Sequence, residues 1–200
     1  MTKSYRSDRR SLVKIGAFTG ATALAGALFV VGMVQNGKGA VRRYNALQAA
    51  DQAGGDVSTA LTELRQYIYA HMNTEIGGPN GIYPPIQLKG TYDRLVAAED
   101  ARIKEINDSL YTKAQEYCEA NGNQGFSGKN RLDCINGYVD ANGAKAQEIQ
   151  GALYKYDFVA PRWSPDLAGF SFIALILFGG ITLVQLALYL RTKHFVHMAN

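Results

Sequence analysis

Two cysteines, Cys118 and Cys134, are the only residues of their type in this chain, and their thiols can be oxidised to a disulfide. Fifteen residues separate them. A lone pair that closes a short loop is typical of proteins that fold in an oxidising compartment. We therefore expect a Cys118–Cys134 disulfide, with two free buried thiols or a metal site as the alternatives. A zinc site would require further ligands, and no pair of histidines lies near either cysteine.

His71 is the only histidine in the middle of the chain, so any Ser-His-Asp or Cys-His catalytic arrangement would need it as the base. No nucleophile stands at a recognisable spacing from it, and no hydrolase, phosphate-loop, redox or metalloprotease motif is present. A histidine at a helix end commonly bonds a carbonyl or faces solvent. His194 and His197 have helical spacing for a metal but no third ligand, and we place them at lipid headgroups. We predict no catalytic, cofactor or metal site, and no enzymatic activity.

Three tyrosines, Tyr67, Tyr69 and Tyr83, are candidates for binding a partner or a ligand. Tyr83 precedes a Pro-Pro pair that begins at Pro84, at the end of an irregular segment rich in glycine and proline, residues 77–85. An aromatic side chain on a stiff loop is typical of partner-binding surfaces. We predict that Tyr67, Tyr69, Tyr83 and Pro84 bind a partner; the alternative is a segment that only packs over the helix ends.

Charged residues alternate in sign between residues 94 and 119. The acidic residues are Glu99, Asp100, Glu105, Asp108, Glu116 and Glu119, and the basic residues are Arg94, Arg102, Lys104 and Lys113. Such alternation is typical of a solvated helix face, which we favour over a site for a cation or a basic partner. No basic stripe with interleaved aromatic residues is present, so nucleic acid is not an expected partner.

Two charge-free apolar runs, Ile15 to Val34 and Leu167 to Leu190, must position everything between them. As helices they would be about 30 and about 36 Å long, which matches a hydrocarbon core of roughly 30 Å. We therefore predict transmembrane helices over residues 15–35 and 166–190, in contact with the lipid bilayer. Aromatic and basic residues anchor the ends of such helices. The expected anchors are Trp163, Tyr189 and Arg191.

The charges beside these runs indicate their orientation. Seven lysines and arginines lie in the terminal flanks, residues 1–14 and 191–200, against five beside the runs in the central region. This bias and the expected disulfide together predict cytoplasmic termini and an extracytoplasmic domain over residues 36–165. The pair Arg9-Arg10 before the first run resembles a twin-arginine export signal, so a cleaved signal is the alternative to a first anchor.

In the first half of the central domain, residues 36–39 indicate a loop, followed by a helix from Val41 to a break at Gly54-Gly55. Asp56 is placed to cap a second helix. Its apolar residues recur every three to four positions: Val57, Leu61, Leu64, Ile68 and Met72. The connection over residues 73–85 is expected to be irregular.

In the second half, a long amphipathic helix should start at Pro85 or Thr91 and end at Glu119. A glycine-rich turn over residues 121–133 and a third helix over residues 135–156, weakened by three glycines, should follow. No strand pattern competes. The predicted fold class is all-α, with two transmembrane helices flanking an elongated three- to four-helix bundle or hairpin that carries one disulfide.

This order of a span, an outer bundle of helices and a returning span resembles the membrane and sensor portion of bacterial chemoreceptors and sensor kinases. The resemblance implies an extracytoplasmic sensor that acts through a separate cytoplasmic partner, because the ten residues after Leu190 hold no kinase, cyclase or methyl-accepting region. A local resemblance is to LemA-family membrane proteins. It rests on Ile86-Gln87-Leu88-Lys89 with Tyr92-Asp93, similar to the start of their long helix, and on Tyr44-Asn45-Ala46-Leu47, similar to their juxtamembrane segment.

Two functional hypotheses follow. The first is an envelope scaffold or subunit whose outer helices bind another membrane or envelope protein or a second copy of this chain. The second is a sensory or regulatory module that binds a ligand outside and passes a helix shift through the spans. A pocket lined by Tyr67, Tyr69 and Tyr83 would favour the second.

Overall fold

The computed structural model of this protein describes residues 2–77, 82–122 and 128–198. The described chain is mostly helical, which confirms the all-α prediction in outline. Its elements in order are α1 (Thr2–Ala53), α2 (Val57–Ala70), β1 (Ile86–Gln87), α3 (Lys89–Ala120), α4 (Lys129–Asn142), a 3-10 turn (Gly151–Leu153), β2 (Lys155–Tyr156) and α5 (Leu167–Met198).

The chain divides into two compact units. The first contains residues 1–50, 56–85 and 157–200, and the second contains residues 51–55 and 86–156. The predicted central domain over residues 36–165 therefore contributes to both units, since α2 groups with the apolar helices α1 and α5.

In the first unit, the apolar parts of α1 and α5 pack side by side and antiparallel. The rings of Phe29 and Phe172 lie 5.5 Å apart, and those of Phe18 and Phe178 lie 6.4 Å apart. A Cβ atom added at Gly32 would stand 2.6 Å from the backbone nitrogen of Ala168, so the two helix backbones approach closely there. Both helices are long and apolar enough to cross a membrane.

Helix α1 continues without interruption through residues 36–39, so the predicted loop at this place is wrong. Glycine costs only about 1 kcal/mol in a helix interior, and tertiary packing can offset that cost. Here the absence of a side chain lets other groups pack close to α1. A Cβ at Gly39 would collide with the Tyr67 hydroxyl, and one at Gly37 would touch the Asn73 carbonyl oxygen. The helix instead ends at the predicted break, with Gly54 at a φ of 66°.

Helix α2 follows the predicted pattern. The Asp56 carboxylate accepts a hydrogen bond of 3.0 Å from the Thr59 amide, as a helix N-cap does. Leu64 and Ile68 are fully buried, and Met72 is buried just beyond the helix end. Residues 73–77 and 82–85 are not helical, as predicted; Gly78, Pro79, Asn80 and Gly81, part of the same prediction, lie outside the described residues.

A buried polar junction joins the end of the apolar part of α1, the end of α2 and the start of α5. The Asn36 amide nitrogen donates to the Asp166 carboxylate at 2.8 Å and to the Met72 carbonyl at 3.1 Å. The Ser164 hydroxyl accepts from the Met72 amide at 3.0 Å and donates to Asp166 at 2.8 Å. Asp166 also accepts from the Gly169 amide in the first turn of α5. The C-terminal end of α2 therefore lies at the same level along α1 as the end of the apolar run of that helix.

The second unit is built on α3 and α4, which the Cys118–Cys134 disulfide joins. The disulfide prediction is confirmed, and the predicted long helix is present as α3. The strands β1 and β2 pair antiparallel, with Ile86 opposite Tyr156. This short sheet corrects the expectation of no strands, and α3 begins at Lys89, between the two expected starts at Pro85 and Thr91.

The third predicted helix is only partly correct, because α4 covers Lys129–Asn142 and residues 143–150 are not helical. Backbone groups of this non-helical segment bond to side chains of α3. The Gln147 amide donates to Glu99 at 2.7 Å, and the Lys145 carbonyl accepts from Arg102 at 3.0 Å. These bonds replace the helical pattern that the apolar spacing predicted. The predicted turn over residues 121–133 is shortened by α4, and its residues 123–127 lie outside the described residues.

Candidate partner-binding surface

Two of the predicted tyrosines lie beside the segment that leads towards α5. The Tyr69 ring packs edge-on against Phe158, with 6.0 Å between ring centroids. The Tyr83 hydroxyl donates to the Asp157 carboxylate at 3.0 Å, one residue before Phe158. Both tyrosines remain open to solvent, with exposed fractions of 56% for Tyr69 and 78% for Tyr83. We call Tyr69, Ile82, Tyr83 and Val159 the aromatic surface, because all four are exposed apolar or aromatic residues around this contact.

Charge also acts on this surface. The hydrogen bond to Asp157, together with its negative charge, raises the pKa of Tyr83, so the phenol stays protonated as a donor. The peptide bond between Tyr83 and Pro84 is cis, and Pro84 is half-buried beside the exposed tyrosine. The carboxylate of Asp157 thus fixes the direction of an aromatic side chain whose face is free to make contacts.

Tyr67 lies elsewhere, because residues two positions apart on a helix point to nearly opposite sides. Its ring packs against α1, where the Arg43 guanidinium carbon lies 3.9 Å from the ring centroid. The His71 ring stacks on Tyr67 at 4.2 Å. The three tyrosines are therefore not brought together: Tyr69 and Tyr83 contact the neighbouring residues Phe158 and Asp157, whereas Tyr67 belongs to a separate cluster with Arg43 and His71.

His71 has the helix-end role expected for it. Its Nδ1 lies 3.0 Å from the Tyr67 carbonyl oxygen, and a carbonyl only accepts, so Nδ1 carries the hydrogen. No group of three or more histidine, cysteine or acidic side chains that could hold a metal occurs among the described residues. The two cysteine sulfurs are bonded to each other, so the alternative of a metal site at Cys118 and Cys134 is wrong. The side chain of His197 lies outside the described residues.

The disulfide is flanked by a shallow groove between α3 and α4. Tyr117 and Tyr138 form its aromatic wall, with 5.0 Å between ring centroids. Cys118 is completely buried and Cys134 is half-buried. The Arg131 guanidinium donates to Glu119 at 2.6 Å and adds a second cross-link between the two helices.

The three expected membrane anchors lie beside or within α5. Trp163 is 44% exposed and packs edge-on against Phe170 at 6.1 Å. Tyr189 has the Lys193 ammonium 5.7 Å from its ring centroid, and Arg191 is exposed. Aromatic and basic residues thus lie near both ends of the apolar run of α5, and their role as membrane anchors stays a prediction.

No sequence pattern predicts a further buried site, which lies at Asp51. This carboxylate, at the end of α1, accepts from the Gly90 and Thr91 amides at 2.7 Å each and from the Thr91 hydroxyl at 2.6 Å. Arg94 adds a bond of 3.1 Å. Burial opposes the ionised form, yet these donors hold the pKa of Asp51 below its usual range. Helix α3 has no side-chain cap from its own Leu88, so Asp51 caps it from a distant part of the chain.

Comparison with family models, with curated proteins and with solved structures finds no match for this chain, so the site described above stands on its own geometry.

Proposed function

We propose that this chain is an integral membrane protein that presents its central helices outside the cytoplasm as a scaffold or subunit for protein–protein interaction in the cell envelope. The observation that carries this proposal is the apolar outside of the α1–α5 pair. Leu24, Val30, Phe170 and Leu183 are between 58% and 69% exposed, although the two helices already pack on each other.

A helix in the core of a water-soluble protein would bury such residues. In the most apolar stretch of α1 only 11% of the residues are buried, and in that of α5 only 17%. Each Å² of apolar surface left in water forfeits about 25 cal/mol. A bilayer removes this cost, because its hydrocarbon core covers the whole circumference of the helix pair.

The proposed orientation, with cytoplasmic termini, is supported by the Cys118–Cys134 disulfide. Such bonds persist in oxidising compartments and are rare in the cytoplasm. The excess of lysine and arginine in the terminal flanks supports the same orientation. The central helices α2, α3 and α4 would then face the extracytoplasmic side.

The proposed contact for a partner is the aromatic surface. Exposed aromatic side chains that are held in place give large contact area at a small entropic cost. Tyr83 has this property through its bond to Asp157, and Tyr69 through its packing on Phe158. The partner would be a membrane or envelope protein or a second copy of the chain.

The test is a crosslinking pull-down from native membranes with the chain carrying Tyr69→Ala and Tyr83→Ala together. We expect the double variant to lose the protein, or the second tagged copy, that the unmodified chain captures. Tyr111→Ala is the matched control, because Tyr111 is 58% exposed on α3 and lies outside the aromatic surface. Unchanged recovery with the double variant would reject the aromatic surface as the contact.

A second candidate function is a sensory or regulatory module that acts through a separate cytoplasmic partner. The polar junction favours it, because Asn36 on α1 and Asp166 before α5 are tied to each other and to Met72 after α2. A displacement of α2 would therefore act on both apolar helices at one level. Asn36→Ala would weaken signalling in this case, whereas scaffold capture through the aromatic surface would continue.

A further inference from the structure

The cluster of Arg43, Tyr67 and His71 borders an open depression of about 410 Å³ on the first unit. Glu63, Gln66 and Ala70 complete its lining. We infer that this depression binds a phosphoethanolamine group, with the phosphate at Arg43 and the ammonium at Glu63.

The phosphate end is supported by the way Arg43 is held. One guanidinium nitrogen donates to the Gly39 carbonyl at 3.2 Å, and the guanidinium carbon lies 3.9 Å from the Tyr67 ring centroid. An arginine fixed in this way keeps further N–H groups for an anion at little entropic cost. His71 has its Nδ1 hydrogen committed to the Tyr67 carbonyl, so Nε2 of the neutral ring can only accept a hydrogen bond and adds no donor for the phosphate.

The ammonium end is supported by Glu63. This carboxylate lines the same depression and is exposed, and no ion pair joins it to Arg43 among the described side chains. A depression with separate positive and negative groups disfavours a simple anion and suits a ligand that carries both charges. Ala70, which also lines the depression, offers an apolar contact for the two carbons between them.

The level of the depression matches a lipid headgroup, and this step rests on the membrane placement proposed above. Gly39, which the Arg43 side chain reaches, lies five positions beyond Val34, about 7.5 Å along the helix axis. The headgroup layer is roughly 5 to 8 Å thick on each side of a bilayer. His71 is held at a similar level, because Met72 and Asn73 bond the Asn36 side chain and the Met33 carbonyl.

The phosphoethanolamine can come from a membrane lipid or from a soluble molecule, and two experiments separate these sources. In the first, the full chain in nanodiscs with equal phosphatidylethanolamine, phosphatidylcholine and phosphatidylglycerol is analysed by native mass spectrometry for retained lipid. In the second, the detergent-solubilised chain is titrated calorimetrically with O-phosphoethanolamine and with inorganic phosphate. Preferential retention of phosphatidylethanolamine in the nanodisc experiment identifies the lipid headgroup as the ligand. Tighter binding of O-phosphoethanolamine than of inorganic phosphate in the titration identifies a soluble ligand.

The variants separate the two charges. Arg43→Gln should lower retention of all three lipids about tenfold, because a charge-assisted hydrogen bond to the phosphate is lost. Glu63→Gln should abolish only the preference for ethanolamine over choline and glycerol. Arg65→Gln is the matched control, since Arg65 is exposed on the same helix and does not line the depression.

Equal retention of the three lipids together with no preference for O-phosphoethanolamine would overturn the inference. So would Glu63→Gln and Arg43→Gln variants that behave like Arg65→Gln. Glu63 is exposed, so its variant remains informative if Arg43→Gln is unstable. Alkaline extraction keeps the two proposals distinct: a chain that leaves the membrane contradicts the membrane placement, whereas a retained chain without lipid preference contradicts only this site.

Discussion

Asp51 has a structural role that its residue type does not predict. It is completely buried, yet it is ionised and binds the first turn of α3 through Gly90 and Thr91. A Cβ at Gly90 would collide with the Asp51 carbonyl oxygen, so the glycine is required for this approach. One carboxylate therefore fixes where α1 ends and where α3 begins within the second unit.

We expect Asp51→Asn to destabilise the protein by about 2 kcal/mol, because an amide group would present a donor to the Gly90 amide in place of an acceptor. The measurement is urea unfolding in detergent, followed by circular dichroism. Asp93→Asn is the control, since Asp93 pairs only with an exposed lysine and its loss should leave the midpoint unchanged. Equal midpoints for Asp51→Asn and the unmodified chain would contradict the capping role.

Glu99 makes the stability of the second unit depend on pH. Its bidentate bonds to Arg102 and the bond from the Gln147 amide lower its pKa from 4.5 to about 2. A carboxylate with a lowered folded-state pKa stabilises the fold fully above its unfolded value and loses that contribution as the pH falls. The stabilisation is thus complete above about pH 4.5 and fades towards pH 2.

The expected result is a melting temperature that falls between pH 4.5 and pH 2 more steeply for the unmodified chain than for Glu99→Gln. Thermal melts across this range measure the difference. Glu105→Gln, an exposed residue of the same helix, should keep the steep dependence. If the melting temperatures of Glu99→Gln and the unmodified chain fell in parallel with pH, the bonds of Glu99 to Arg102 and to the Gln147 amide would not stabilise the fold.

At the scale of elements, the close contact of α1 and α5 depends on small residues. Gly32→Ala would place a Cβ 2.6 Å from the Ala168 nitrogen, and neither helix backbone can yield without separating the pair. We expect a loss of about 2 kcal/mol, as for other overpacked sites. The readout is the crosslinking yield between cysteines placed at Phe29 and Phe172, whose rings lie 5.5 Å apart.

Gly20→Ala is the matched control for this prediction, because nothing lies within 4 Å of a Cβ at that position. Alanine there should leave the crosslinking yield unchanged and favour the helix by about 1 kcal/mol. If both variants gave the same yield, the close approach at Gly32 would not hold the two helices together.

For the whole molecule, the proposed orientation makes a prediction about accessibility. In a chain with Cys118 and Cys134 left oxidised, a cysteine introduced at Tyr111 should react with a membrane-impermeant maleimide in intact cells. One introduced at Leu12 should react only after lysis. Both positions are exposed, with fractions of 58% and 51%, so access through the protein itself is comparable. Labelling of the Leu12 variant alone in intact cells would reverse the orientation.

Local patterns were sufficient for several features of this fold. The apolar runs predicted two helices of membrane-spanning length, the spacing of two cysteines predicted the disulfide, and Asp56 predicted the start of α2. Each of these depends on neighbours in sequence or on residue type alone. The predictions for the tyrosines were weaker, because their spacing does not determine which side of a helix meets which neighbour.

The sequence by itself therefore determined the number and apolar length of the two long helices, the cap of α2 and the cysteine pair, because short-range chemistry decides them. Only the tertiary structure decided that α1 stays helical through Gly37 and Gly39, that residues 143–150 are not helical, and that Asp51 caps α3. In these places partners from distant parts of the chain supply the packing or the hydrogen bonds. Their gain exceeds the local preference of about 1 kcal/mol per residue that a sequence pattern records.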